Sequence, residues 1–331
     1  MSNNTNINNN FDANLMTPPV LSMPGFHAIM DAVSPDWYSV PKLSTGVQGI
    51  DKPLYGGLLP GLTVLAGPEG NGKTTLAAQI VTRALKDDQA KRRAGKQPVS
   101  RGVMIYSAEM SDGHLHQILA RQIADLDDVE DRGREPFHKF YLKEEADRRI
   151  QAEYGPWILG YTPTPSTGGW AGMRGAMESA AQLGVRIFVV DNLLTLTVLI
   201  AQDPGFHGAG DNALQSAAAA WLAEFAAKYG AWVVMIAHTR KESQWSAQNR
   251  NDTISGSSAV KNLSTQVLFW DELPVSKRET PNTSDRCVCL TKNRVFGRKC
   301  LDGITTRYIE RTMTVEDKDA EDGLPFKPNK A

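Results

Sequence analysis

Apolar positions along the chain gather into short unbroken runs, at residues 62–66, 103–107, 186–190, 231–237 and 266–270, and the stretches between them repeat with helical spacing. Helices are expected over 73–86, 111–124 and 173–183, and over a longer stretch that Asp211 caps and Gly230 stops. In that longer helix Leu214, Ala218, Trp221, Leu222 and Phe225 share one face. Strands that are apolar throughout and separated by helices describe a parallel sheet covered on both faces. Residues 287–291 and 305–312 have the strand pattern with no helix between them, so the sheet should end in antiparallel edge strands. The expected fold class is α/β, a mostly parallel sheet with helices on both faces.

The two ends read differently. Residues 1–43 form an arm that opens on Asn3, Asn4, Asn6, Asn8, Asn9 and Asn10 and then scatters Pro18, Pro19 and Pro24, which prevents a regular helix. Within it Phe26, Ile29, Met30 and Val33 make one short apolar face, which needs a partner surface in the chain's own core or on a neighbouring subunit. Residues 315–331 are rich in acidic residues and turn formers and should be a disordered tail. The folded domain is therefore expected over 44–314.

Composition narrows the class. Hydrophobic residues at 41% and charged residues at 22% suit a globular core that needs no disulfides or metals. A formal net charge of −1 offers no global basic field, so any contact with a polyanion must be local. Cys287, Cys289 and Cys300 lack the paired C-x-x-C spacing of common zinc sites and read as reduced strand residues. No basic flank precedes an apolar leader and no apolar run reaches the roughly 18 residues a membrane helix needs, so a soluble cytoplasmic protein without membrane contact is expected.

The chemistry begins at Gly67-Pro68-Glu69-Gly70-Asn71-Gly72-Lys73-Thr74, which satisfies G-x-x-x-x-G-K-[ST] and lies between an expected strand and an expected helix. Glycines let successive backbone N–H groups curl around phosphate oxygens, and the helix N-terminus adds partial positive charge. Lys73 supplies a charge to the β- and γ-phosphates of ATP or another nucleoside triphosphate. Thr74 offers a hydroxyl to Mg²⁺, and Thr75 completes the loop. This makes the sheet a RecA-like P-loop core. In an open α/β sheet, ligands gather at the carboxyl ends of the strands. There Asp191 can hold Mg²⁺ through water, Glu109 can act as general base on the attacking water, and His238 can sense a γ-phosphate. Lys292 and Arg294 follow another strand and are candidate cations for transfer to a neighbour's nucleotide.

Two polar stretches, 202–210 and 240–258, could touch a polynucleotide; the second carries Arg240, Lys241, Trp245 and Arg250, with Lys261 just beyond. The Lys91, Arg92, Arg93 and Lys96 cluster, balanced by Asp87 and Asp88, reads as a solvated turn, and His114 and His116 as surface residues.

Several motifs in order resemble the helicase domain of the DnaB-like replicative helicases, nearest the bacteriophage-type and Twinkle-like branch. They are Ser44-Thr45-Gly46, Gly49-Ile50-Asp51, Gly56-Gly57-Leu58, Ser107-Ala108-Glu109-Met110 with Arg121, Asp191-Asn192, Ala237-His238-Thr239-Arg240-Lys241, Gly256-Ser257-Ser258-Ala259 and Lys292-Asn293-Arg294-Val295-Phe296-Gly297. The resemblance implies a hexameric ring that hydrolyses nucleotide between subunits and moves single-stranded DNA through its centre. It also makes a polymerase or primase a candidate partner. No primase-type N-terminal domain is expected within 43 residues. A RecA-like recombinase or mediator, and a regulatory ATPase of the KaiC kind, share the P-loop and remain the alternatives.

Overall fold

The apolar run expected at 62–66 is the central strand β1 (Gly61–Gly67), and its alternation sorts the core into two layers. Leu62, Val64 and Ala66 belong to the layer on one face of the sheet, and Leu65 to the layer on the other. The computed structural model describes residues 36–134, 137–162, 167–239, 254, 258–273 and 286–318. The chain divides into two compact units, residues 1–40 and 41–331. The face expected on Phe26, Ile29, Met30 and Val33 lies outside the described residues, as do Arg240, Lys241, Trp245 and Arg250.

In chain order the second unit runs α1 (Gln48–Asp51), β1, α2 (Lys73–Arg93), β2 (Val103–Ser107) and α3 (Asp112–Ile123). A small hairpin of β3 (Val129–Asp131) and β4 (Phe140–Leu142) leads to α4 (Glu144–Tyr154) and β5 (Ile158–Tyr161). Then follow α5 (Gly169–Gln182), β6 (Ile187–Asp191), α6 (Leu193–Ala201), α7 (Asp211–Tyr229) and β7 (Trp232–His238). The chain continues through α8 (Ser258–Leu263), β8 (Gln266–Glu272), β9 (Arg286–Asn293), β10 (Cys300–Ile309) and β11 (Thr314–Asp317). The main sheet among the described residues has the order β11-β10-β9-β8-β1-β7-β6-β2-β5. From β8 to β5 every pairing is parallel, and β8, β9, β10 and β11 pair antiparallel, as the missing helix between 291 and 305 requires. Met173, Leu196 and Leu222 on α5, α6 and α7 fill one layer; Ile50, Ile80 and Leu119 on α1, α2 and α3 fill the other. This is the RecA-like α/β core.

Three sequence expectations change. Helix α2 runs seven residues past 86 to Arg93, so Lys91, Arg92 and Arg93 form its last turn rather than a solvated turn. Cations there meet the partial negative charge of the helix end. The acidic tail does not start at 315: β11 pairs with β10, Val315 is buried, and Asp317 accepts from the backbone N–H of Gln48 at 2.6 Å. A carboxylate that caps a helix is held in place by that bond, and only residues 319–331 of the expected tail lie outside the described residues. Asp211 is the first helical residue of α7 and Gly230, at φ 58°, closes it; the N-cap is Gly210.

The Ser44-Thr45-Gly46 and Gly49-Ile50-Asp51 motifs are one hydrogen-bonded knot. Asp51 accepts from the Ser44 hydroxyl at 2.6 Å, the Thr45 hydroxyl at 2.8 Å and the Thr45 N–H at 2.9 Å. Burial pushes its carboxyl up, and these bonds, with the Arg83 charge, pull it back. The knot anchors the chain where it enters the domain. Likewise Arg121, buried on α3, donates to the carbonyls of Arg311 and Glu310, so it ties α3 to the β10–β11 turn.

Candidate nucleotide site

The parallel register carries the candidate residues to one level of the sheet. Gly67 lies beside His238, and Ser107 beside Asp191. At Gly67 a Cβ would collide with the Trp270 carbonyl oxygen, so glycine alone lets the chain leave β1 there. Gly70 and Gly72 take φ of 75° and 84°, and α2 starts at once with Lys73. A left-handed turn opening a helix is a nest of N–H donors for an anion. Pro68 and Glu69 lead into this turn, and the Thr75 carbonyl is held by the Gln122 side chain at 3.0 Å.

Lys73 is only 4% exposed, and its Nζ donates to the Pro68 carbonyl at 2.5 Å. Burial pulls its ammonium down, against the charges of Asp191, Glu109 and Glu69, while Arg286 adds to the pull. Thr74 donates its hydroxyl to Asp191 Oδ2 at 2.8 Å. Burial raises the Asp191 carboxyl to about 6, with the Thr74 bond lowering it, the Glu109 charge raising it and Lys73 lowering it. A hydroxyl and a carboxylate side by side are hard oxygen donors of the kind Mg²⁺ takes. The Asn71 side-chain nitrogen is buried without a partner at the same turn. The residues present therefore fit a triphosphate with its cation.

Asn192 joins the other two candidates, and sequence reasoning quoted it without giving it a role. Its Oδ1 accepts from the Thr195 N–H at 3.0 Å as the N-cap of α6, which fixes the amide so that Nδ2 points away from the helix. That Nδ2 donates to Glu109 and reaches His238 Nε2 at 2.9 Å. His238 Nε2 therefore accepts, and the ring is neutral. Burial holds its pKa below the usual range and the Lys73 charge adds to this, against Glu109 and Glu69. Glu109, with half its side chain exposed, is 3.8 Å from that nitrogen. A single amide thus holds the candidate base and the candidate sensor at once.

Replacing Asn192 by serine separates its two roles, since serine keeps an N-cap and removes the Nδ2 donor. Turnover is expected to fall by on the order of 10–100-fold, the usual effect of losing a partner that orients a reactive group. Thermal stability and nucleotide affinity should stay near the parent's. Unchanged turnover in steady-state hydrolysis would make the amide a cap and nothing more.

Two further residues missed in the sequence brace the P-loop. The Asn71 carbonyl accepts from the Trp270 indole N–H at 2.5 Å and from the Arg286 guanidinium. With its carbonyl drawn outward by β8 and β9, the turn keeps its N–H groups facing in. Nothing local in the sequence marks either residue, because the contact spans about two hundred positions of chain.

Lys292 and Arg294 are not brought to this site. Lys292 Nζ donates to the carbonyls of Lys261 and Asn262, the latter at 3.1 Å, and Arg294 donates to Asn262 as well. Both cap the C-terminal end of α8, and Lys261 contributes its carbonyl there. Burial first, then the Arg294 charge, brings Lys292 down to about 8. Since Lys292 pairs with Val267 and Val267 with Val64, it lies three residues, about 10 Å, back along the sheet from the level of Gly67. The 202–210 stretch is a short turn around Pro204–Phe206 with Phe206 packed on the core. No helix among the described residues is long and apolar enough to cross a membrane.

A family model described as AAA domain matches residues 48–244. Among solved structures, the ATPase domain of another protein matches with a TM-score of 0.58 at 14% identity, covering 89% of this chain and 96% of that one. A DnaB-like replicative helicase, in a structure that describes its interactions with primase, matches with a TM-score of 0.59 at 14% identity, covering 88% of this chain and 66% of that one. At such identities the likeness is one of fold. No curated protein matches the chain.

Proposed function

This chain belongs to the AAA domain family, and from that premise we propose that it is a nucleoside-triphosphate-driven motor that moves along single-stranded DNA and separates its strands. One observation carries the hydrolytic part: Lys73, Thr74, Asp191, Asn192, Glu109 and His238 converge at the carboxyl ends of β1, β2, β6 and β7 through direct bonds. In the proposed roles the P-loop from Gly67 to Thr75 binds the phosphates and Lys73 compensates their charge. Glu109 takes a proton from the attacking water, held for this by Asn192, and neutral His238 reads the γ-phosphate. Thr74 and Asp191 would hold Mg²⁺, which supplies charge neutralisation on the phosphate oxygens when bound.

The DNA-acting part rests on the motifs that resemble the DnaB-like helicases and on the likeness of fold to a solved ATPase domain and to a DnaB-like replicative helicase. The same resemblance places the chain in a ring of identical subunits, with Lys292 and Arg294 serving the neighbour's nucleotide and Arg240, Lys241, Arg250 and Lys261 facing the strand. A polymerase or primase is the proposed protein partner and the cytoplasm the proposed compartment. The domain is proposed to follow the arm near residue 44.

The test is steady-state ATP hydrolysis with and without a long single strand, at matched salt because phosphate contacts are salt-sensitive. Stimulation by the strand is expected, followed by unwinding of a forked duplex. Hydrolysis indifferent to DNA would leave the nucleotide site and overturn the motor.

A further inference from the structure

At the opposite end of the sheet from the nucleotide site, an open cavity of about 610 Å³ lies where the chain enters β2, β5 and β6. Its walls include Arg92, Lys96, Arg101 and Arg186, together with Trp157. Among the described residues, none that lines it is acidic. Four cations around one opening, in a chain of net charge −1, are a concentrated local field.

The four are set in two ways. Arg92 and Arg186 are half-buried and held: Arg92 donates to the Ser100 carbonyl at 3.0 Å, and Arg186 to the carbonyls of Ala181 at 2.5 Å and Val185 at 2.9 Å. A guanidinium has five N–H donors, so each keeps some for a ligand. Lys96 and Arg101 are exposed at the rim. The carboxylate of Asp88 behind this wall is already engaged, accepting from the Val99 and Ser100 N–H groups at 2.7 and 2.9 Å and from Lys91 at 3.3 Å.

The shape of the recognition follows. Guanidinium forks match phosphate oxygens. The aromatic wall does not offer a free face for a base, because the Arg92 guanidinium lies 4.0 Å over the Trp157 ring. The chemistry is therefore that of phosphate groups read without regard to base. The cavity is open, with cations from the rim to the floor, which suits successive phosphates of a strand passing across it.

We infer that this cavity binds the backbone phosphates of a nucleic-acid strand, at a site separate from the nucleotide site. The two lie at opposite ends of β2 and β6, about 15 Å apart along the strands. The inference goes beyond the hydrolytic reading and does not depend on turnover.

The test uses the full chain without nucleotide and an end-labelled oligothymidine, with anisotropy followed across a potassium chloride series. The Lys96→Glu/Arg101→Glu variant is expected to bind about tenfold or more weakly at low salt, with a salt slope smaller by roughly two, one for each lost phosphate contact. The milder Lys96→Ala/Arg101→Ala pair should shift both in the same direction, and basal hydrolysis without DNA should be unchanged in each. Affinity and slope equal to the parent's, or no binding by the parent, would overturn the inference. So would a variant that loses competition by inorganic tripolyphosphate, measured in the Lys73→Ala background, while keeping oligothymidine; that outcome marks a small-anion site. Oligothymidine binding that falls in the variants, while DNA fails to stimulate hydrolysis in the parent, would uphold the cavity and overturn the motor.

Discussion

Replacing Lys73 by alanine is expected to abolish hydrolysis while leaving the chain folded. The ammonium is almost wholly buried, and Pro68 supplies its hydrogen-bonding carbonyl from the same loop. Its pKa is held below the ordinary lysine value, chiefly by burial. A lysine in that position binds its proton less tightly folded than unfolded, so below the unfolded value the buried charge costs stability, and the cost fades as pH rises through the folded value and beyond. Alanine removes that cost, and the Thr74–Asp191 bond does not depend on the side chain. What alanine cannot replace is the charge facing the phosphates. Losing a single preorganised donor costs about 10²–10³ in turnover, and a full charge in a water-poor site should cost at least as much. The melting temperature of the free variant is expected to match or exceed the parent's, while the rise that Mg-ATP induces in the parent should shrink or vanish. Lys73→Met, which keeps the volume of the stem, controls for packing. Near-normal turnover in both variants would refute the nucleotide site.

The residues behind that expectation were legible because their signals are local. A glycine-rich turn between an apolar run and a helix is written in consecutive positions, and Asp191 and His238 show as polar residues that end apolar strands. The parallel sheet was legible for the same reason, since strands buried on both faces need no polar alternation. What escaped the sequence is long-range or doubly used. Arg286 and Trp270 act on the Asn71 carbonyl from distant strands, and only the register of β8 and β9 brings them there. Asn192 reads as a helix cap and is one, and the cap is what turns its other atom toward Glu109 and His238. The early start given to the acidic tail had a different cause. Composition counts Glu316 and Asp317 as solvated charge, yet Asp317 is a buried cap and Val315 a core residue.

The same contrast between local and long-range information governs Lys292 and Arg294. Their motif is consecutive, so the sequence singles them out, but their place in the fold turns them from their own P-loop toward the end of α8. A cation so placed can serve phosphoryl transfer only at a site on another copy. Within one chain the loss of Arg294 removes one exposed bond to a helix-end carbonyl, on the order of 0.5–1 kcal/mol, and leaves every contact of the nucleotide site in place.

Arg294→Ala is accordingly expected to bind nucleotide as the parent does, read by the Mg-ATP shift in melting temperature, and to lose about 10³–10⁵ in turnover, the range for an arginine supplied in trans. Turnover alone does not separate this from a distorted fold, but complementation does. Lys73→Ala lacks a working P-loop and still offers Arg294; Arg294→Ala keeps the P-loop and offers no finger. In a head-to-tail assembly mixed in equal parts, the interface that joins the intact P-loop of one to the finger of the other is complete, and random mixing forms it at about one interface in four. Two inactive proteins should therefore recover about a quarter of the parent's hydrolysis if interfaces act independently, and less if they fire in concert. Recovery that grows with mixing time and vanishes under dilution would tie it to shared assemblies. If no ratio of the two restores turnover, while each variant still binds its parent, the assignment of Arg294 to the neighbour's nucleotide is wrong.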